Sequence, residues 1–242
     1  MYAMKWKESV AEAVRRIGRE QCDTLLLAAE EPTGVEATDS PGVRYADEVS
    51  RNVRRALSLL AVVGPVMDRE ALRRERNALR RAARQCQPQA LQTRPTASVA
   101  TVNGLLQEVR MRAGYWHLNA DGFDALRPGL MRVYAAARRH VLASAAAGAC
   151  EKPQTARDAL AAWADAIKLV ERAWPELLKS ERKRVRGLIE VLDGDSPESK
   201  EHAALWRESA AWMSETPGRW CDRVGGYWRA WREEERRSTG SE

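Results

Sequence analysis

Phenylalanine occurs once in the 242 residues, histidine three times, and the four cysteines are scattered. Cys22, Cys86, Cys150 and Cys221 form no CxxC pair, which argues against a zinc site or a disulfide framework. Free thiols in or beside helices are the expectation. His117, His140 and His202 have no metal-ligand spacing, so neither a metal nor another cofactor is expected. No apolar run is long enough to span a bilayer, and the N-terminus lacks the layout of a signal peptide. The expectation is a soluble, cytoplasmic protein with no membrane partner. Alternating β-branched runs are missing too, which argues against strands. There is no phosphate-binding glycine-rich loop and no nucleophile elbow, so the reading leans away from an enzyme.

What the chain does have is helix-forming sequence. Hydrophobic residues make up 44% and charged residues 31%, and the long stretches are rich in alanine, leucine, arginine and glutamate. Val10, Ala13, Val14 and Ile17 recur at helical spacing, as do Val49, Val53, Ala56, Leu57 and Leu60, and again Leu160, Trp163, Ile167 and Val170. Breaks are expected at Glu31–Gly34, Asp39–Gly42, Gly64-Pro65, residues 86–96, Gly122–Pro128, Gly148–Pro153, Trp174-Pro175 and residues 193–197. Asp68 is placed to cap a third helix, and Thr96 or Ser98 a fourth that ends near Gly114. A further helix is expected to begin after Gly225-Gly226. About eight or nine helices in two sets of four follow.

One pattern occurs twice in degraded form. Residues 8–66 and 128–178 each hold a helical stretch with an arginine pair, a linker, and a second helical stretch that carries cations and ends at a proline. Such a duplication predicts an all-α fold of two four-helix halves, about 8–114 and 122–212, facing each other across a basic cleft. Residues 213–242 would be a Trp/Arg-rich extension.

Charge is uneven. The net is +6, with seven arginines against two glutamates in residues 69–84 and six carboxylates against one arginine in residues 30–48. A basic patch favours anionic partners such as nucleic acid, phosphate polymers or membrane headgroups. The plain alternative for residues 69–84 is a solvated helix face with i,i+4 pairing.

The stretch Asp47-Glu48-Val49-Ser50-Arg51-Asn52-Val53-Arg54-Arg55 resembles the second helix of the CHAD (conserved histidine α-helical) domain family. The arginine pair matches at Arg54 and Arg55, but Asp47 stands at the histidine position and Ser50 at the first arginine position. In the second half Trp163 and Lys168 match, and Leu169–Leu178 and the Arg138 pair are close to family sequences. There Ala161, Ala164 and Asp165 replace the second histidine and the Arg-Lys pair. The resemblance covers roughly residues 8–210 and marks a divergent member lacking both signature histidines. It implies two four-helix-bundle halves about a pseudo-twofold axis, a central basic cleft, and inorganic polyphosphate or another polyanion as ligand. The β-barrel triphosphatase sometimes fused to CHAD domains, with its ExExK strand, is absent, so polyphosphate hydrolysis is not implied. Arg51 and Arg55 share one helical stripe with Arg54 beside them, and Lys168 and Arg172 repeat the spacing. With Arg138 these six cations are the candidate ligand-binding set. The arginine fork suits adjacent phosphate oxygens.

Two other readings stay open. Asp47, Glu48, Asp165 and Glu171 occupy or flank the cleft-lining positions, and a repurposed pocket could use Asp47 and Asp165 on a small molecule. The plainer reading pairs these carboxylates with Arg51, Lys168 and Arg172. The tail carries Trp206, Trp212, Trp220, Tyr227, Trp228 and Trp231. It either docks a protein partner through Trp228 and Trp231, making the chain a scaffold or targeting protein, or folds back onto the bundle.

Overall fold

The computed structural model describes residues 2–30, 41–85, 95–194 and 200–239. The fold is all-α: among the described residues nine α-helices are joined by turns and short 3-10 segments, and the sole strand-like feature is an isolated bridge between Met67 and Leu118. No helix among them is long and apolar enough to cross a membrane. The chain divides into two compact units, one of residues 9–121 with Tyr2, the other of Ala3–Glu8 and the chain from Gly122 onward.

In the first unit, α1 (Val10–Glu30), α2 (Pro41–Val63), α3 (Arg69–Gln85) and α4 (Pro95–Ala113) pair in a closed cycle, α1 with α2, α2 with α3, α3 with α4 and α4 with α1. α1 starts at a reciprocal capping box. The Glu12 N–H donates to Ser9 Oγ at 3.2 Å and the Ser9 N–H to Glu12 Oε2 at 2.8 Å, so two donors that the helix end would orphan are satisfied. Gly64-Pro65 turn α2 into a 3-10 segment, Gly64–Val66. Asp68 then caps α3, its Oδ1 accepting the Ala71 N–H at 2.8 Å. α4 begins at Pro95; the side chains of Thr96 and Ser98 lie outside the described residues. Val10, Ala13, Val14 and Ile17 of α1 and Val49, Val53, Ala56 and Leu60 of α2 are buried, while Leu57 is half-buried. Fully burying each Val, Leu or Ile is worth about 1.5–3 kcal/mol.

The second unit opens on a 3-10 turn, Gly122–Ala125, and holds α5 (Arg127–Ala147), α6 (Pro153–Val170), α7 (Pro175–Asp193), α8 (Lys200–Trp212) and α9 (Pro217–Thr239). A 3-10 segment, Glu171–Ala173, joins α6 to α7. Proline in the first turn of α5, α6 and α7 removes an N–H that would lack an acceptor there. Gly148 ends α5 at φ 73°, a left-handed position suited to glycine. α5 packs on α6 and α8, α6 on α7, and α7 on α8; α9 lies along α5. Tryptophan supplies the bulk that phenylalanine gives elsewhere. Trp163, Trp206, Trp220 and Tyr134 are all but fully buried. Tyr134 stacks on Trp220 at 5.1 Å and meets the edge of Trp163 at 5.1 Å.

The tail is part of this core. α9 runs unbroken through Gly225-Gly226, where a helix start was expected. A β-carbon on Gly225 would fall 2.7 Å from the Phe123 ring, so the glycine serves close packing. Glycine costs a helix roughly 1 kcal/mol relative to alanine. Arg232 Nη1 donates to the Glu8 carbonyl at 2.7 Å, and the Met4 N–H to the Leu169 carbonyl at 3.2 Å, fixing the N-terminal strand of chain to this unit. Residues 213–239 thus belong to this compact unit. Cys22 and Cys221 are buried free thiols and Cys150 is half-buried; Cys86 lies outside the described residues.

Candidate polyanion interface

α2 carries the first three candidate cations. Arg51 is exposed and has no partner among the described residues. Arg54 and Arg55 are half-buried. Tyr2 Oη donates to the Arg55 carbonyl at 3.1 Å, which pins the backbone there. The Arg55 side chain is held only loosely: one Nη1 contact to Asn52 Oδ1 at 3.5 Å, no described carboxylate, and an Nε that is buried without a hydrogen-bond partner. A guanidinium taken partly out of water without an anion is costly. The Asp47 side chain lies outside the described residues, and Glu48 is half-buried.

The other three candidates belong to the second unit. Arg138 holds a chain reversal: its Nε donates to the Met213 carbonyl at 2.9 Å and its Nη2 to that of Ser214 at 3.4 Å. Beside it Tyr134 Oη donates to the Glu215 carbonyl at 3.0 Å. The same reversal is locked by Arg223, which contacts Glu215 at 2.8 Å and Glu181 at 3.0 Å, while Trp220 Nε1 donates to Glu181 at 3.1 Å. Burial opposes the Arg223 charge, but the two carboxylates raise its pKa above the usual arginine value. Arg138 thus has a visible structural task between α5 and the α8–α9 connection. Lys168 is half-buried on α6 and Arg172 is exposed in the 3-10 segment after it, and both have interaction partners within the protein.

Asp165 is buried on α6 with partners of its own. Glu171 pairs with Arg182 of α7 at 2.6 Å, not with its sequence neighbour Arg172. Among the described residues no group of three His, Cys, Asp or Glu is placed to hold a metal ion. A cavity of about 380 Å³ in the first unit is lined by Ser9, Arg15, His117, Leu118, Asn119 and Asp121. Its polar groups are partly engaged: Arg15 Nε donates to the Trp116 carbonyl at 2.8 Å and Ser9 caps α1. Docking through Trp228 and Trp231 meets a physical obstacle. Trp228 is only 4% exposed, packed between Phe123 and Trp231 with Arg232 over its ring, and Trp231 is half-buried.

A dense run of positive charge lies on α3. Glu75, Ala78, Leu79 and Ala82 form its buried face. Arg69, Arg73, Arg80, Arg81 and Arg84 are exposed, and none has an ion-pair partner among the described residues. Arg74 and Arg76 differ, the first contacting Glu75 at 3.3 Å and the second donating to the Leu60 carbonyl at 3.3 Å. The charge run at residues 69–84 is plain in the sequence. What the candidate set of six cations missed is that Arg69, Arg73, Arg80, Arg81 and Arg84 of this run have no ion-pair partner among the described residues.

Comparison with protein-family models, curated proteins and solved structures yields no match.

Proposed function

We propose that the protein binds an anionic polymer, inorganic polyphosphate first, through the arginine face of α2. The observation that carries this reading is Arg55: a half-buried guanidinium whose Nε has lost water and found neither acceptor nor described carboxylate. A phosphate at the accessible edge of the guanidinium would supply the missing counter-charge. Arg51, exposed one turn away on the same stripe, adds a second point of contact. The CHAD resemblance is the reason to put polyphosphate ahead of other anions. In the arrangement it implies, two halves about a pseudo-twofold axis, Arg51, Arg54 and Arg55 would line a basic cleft, with Lys168 and Arg172 contributing from the other half. Binding through charge and hydrogen bonds needs neither metal nor nucleophile, in keeping with a non-enzymatic role.

Arg51→Gln with Arg55→Gln is the decisive variant, because glutamine keeps much of the packing while deleting two cations. Charged hydrogen bonds are worth about 1.5–3 kcal/mol each, so long-chain polyphosphate should bind at least about tenfold more weakly to a variant of unchanged melting temperature. Wild-type binding should weaken steeply as salt rises. Wild-type affinity in the folded double variant, or no binding by the wild type at low salt, overturns the reading.

A further inference from the structure

We infer that the outward face of α3 is a second, separate polyanion surface, and that it fits the phosphodiester backbone of double-stranded nucleic acid, read without regard to sequence. It does not depend on the α2 arginines.

The argument starts from periodicity. At about 100° per residue, Arg69, Arg73, Arg80 and Arg84 fall within roughly 60° of arc, on the side of the helix opposite Glu75, Ala78, Leu79 and Ala82. They form one straight stripe roughly 22 Å long at 1.5 Å per residue. Arg81 stands beside it, and Glu70 is the one exposed carboxylate on the helix. Like charges at i,i+4 destabilise a helix, and ordinary surface helices relieve this by mixing signs. Here, of the six exposed arginines, only Arg74 has a described counter-charge, in Glu75, and the four of the stripe and Arg81 have none. The stripe is an electrostatic cost in the isolated protein that an anionic partner would remove.

Three features select the partner. α3 has no aromatic residue, so it offers no platform for the unstacked bases of a single strand. None of the large exposed apolar side chains lies on α3, so it has nothing to insert into a lipid surface. The face is also the convex side of one helix. A flexible chain touching it from one side would surrender conformational freedom for few contacts. A duplex arrives with its phosphates fixed at one charge per roughly 1.7 Å of axis, and the stripe spans about two-thirds of a duplex turn. Contacts to phosphates alone position a protein without specifying sequence.

The test is fluorescence anisotropy with labelled mixed-sequence duplexes of about 20 base pairs, about two turns, titrated over a range of potassium chloride. The full-length wild type should bind, with log affinity falling linearly against log salt. Arg69→Gln, Arg73→Gln, Arg80→Gln and Arg84→Gln together should flatten that slope by about 3–4, at roughly 0.9 per phosphate contact. The pair Arg73→Gln with Arg80→Gln should flatten it by about half as much. Both variants should melt no lower than wild type, since like-charge repulsion is relieved. Arg51→Gln with Arg55→Gln should leave duplex binding intact, which separates this surface from the polyphosphate reading. The inference is overturned if the wild type does not bind duplex at low salt, or if the quadruple variant keeps the wild-type slope. It is also overturned if a single strand or polyphosphate depends on the four arginines as strongly as the duplex does.

Discussion

Arg112 of α4 grips Glu75 of α3 with both arms of its guanidinium, Nε to Oε1 at 2.8 Å and Nη2 to Oε2 at 3.1 Å, and Glu75 is completely buried. The geometry is the two-pronged carboxylate pairing that only arginine provides. Arg112 also reaches Glu108 one turn back at 3.0 Å, and these contacts hold its pKa above the usual arginine value. The pair fixes how α3 sits on α4, and so which side of α3 faces outward.

Removing one partner of that pair should be severe. Arg112→Met leaves a buried carboxylate with only the Arg74 contact at 3.3 Å, and uncompensated buried charge costs about 3–5 kcal/mol. Urea denaturation of Arg112→Met should show a loss of that order. The double change Glu75→Leu with Arg112→Met should recover most of it, because a dry apolar pair needs no counter-charge. Equal losses in the single and double variants would mean that packing volume, not charge, decides the contact.

Two helix glycines are set against aromatic rings. A β-carbon on Gly18 would lie 2.6 Å from Trp116 Cζ3, and one on Gly225 would lie 2.7 Å from Phe123 Cε1. Both rings are buried. Alanine at either position should destabilise by about 1–3 kcal/mol through overpacking. Gly104, exposed on α4, has nothing within 4 Å of its would-be β-carbon. Gly104→Ala should therefore stabilise by about 0.5–1 kcal/mol through helix propensity alone. Thermal melts of the three variants check the contrast, and a stabilised Gly18→Ala would show that the Trp116 ring moves aside at little cost.

The elements legible in the sequence are those set by local chemistry. Asp68 before Arg69, Gly64-Pro65, Gly148 and the Trp174-Pro175 break act within a few residues of themselves, and each bounds a helix in the fold. The apolar spacing of Val10, Ala13, Val14 and Ile17 likewise marks a buried face. Long-range contacts were not legible. Gly225-Gly226 read as a helix start because nothing nearby in sequence announces the Phe123 ring. Arg138 read only as a ligand-binding candidate because the carbonyls it holds lie 75 and 76 residues away. Glu171 read as one of four carboxylates pairing with Arg51, Lys168 and Arg172, while the fold brings Arg182 of α7 to it. On α3 the cation count was open to inspection, but which of its arginines find a described carboxylate depends on what the other elements bring near.

The last expectation concerns alkaline pH. Tyr134 is 1% exposed, stacked on Trp220, with its hydroxyl on the Glu215 carbonyl. Burial first, and then the Glu215 charge, push its pKa up to about 12 from an ordinary value of 10.0. The folded state therefore keeps the phenol proton over a range in which the unfolded chain has lost it. Where the unfolded state binds fewer protons, stability falls as pH rises. The Tyr134 contribution is whole below pH about 10 and is lost as pH climbs toward about 12, at no more than about 1.4 kcal/mol per pH unit. The buried thiols of Cys22 and Cys221, each pushed up to about 12 chiefly by burial, act with the same sign from a lower starting pH. Tyr134→Phe should lose about 1 kcal/mol at neutral pH with the hydrogen bond, then show a shallower decline than wild type above pH about 10. Urea midpoints measured from neutral pH to pH about 11 would reveal this as two curves that converge. Curves that stay parallel across the range would mean that the Tyr134 phenol titrates alike in the folded and unfolded chain.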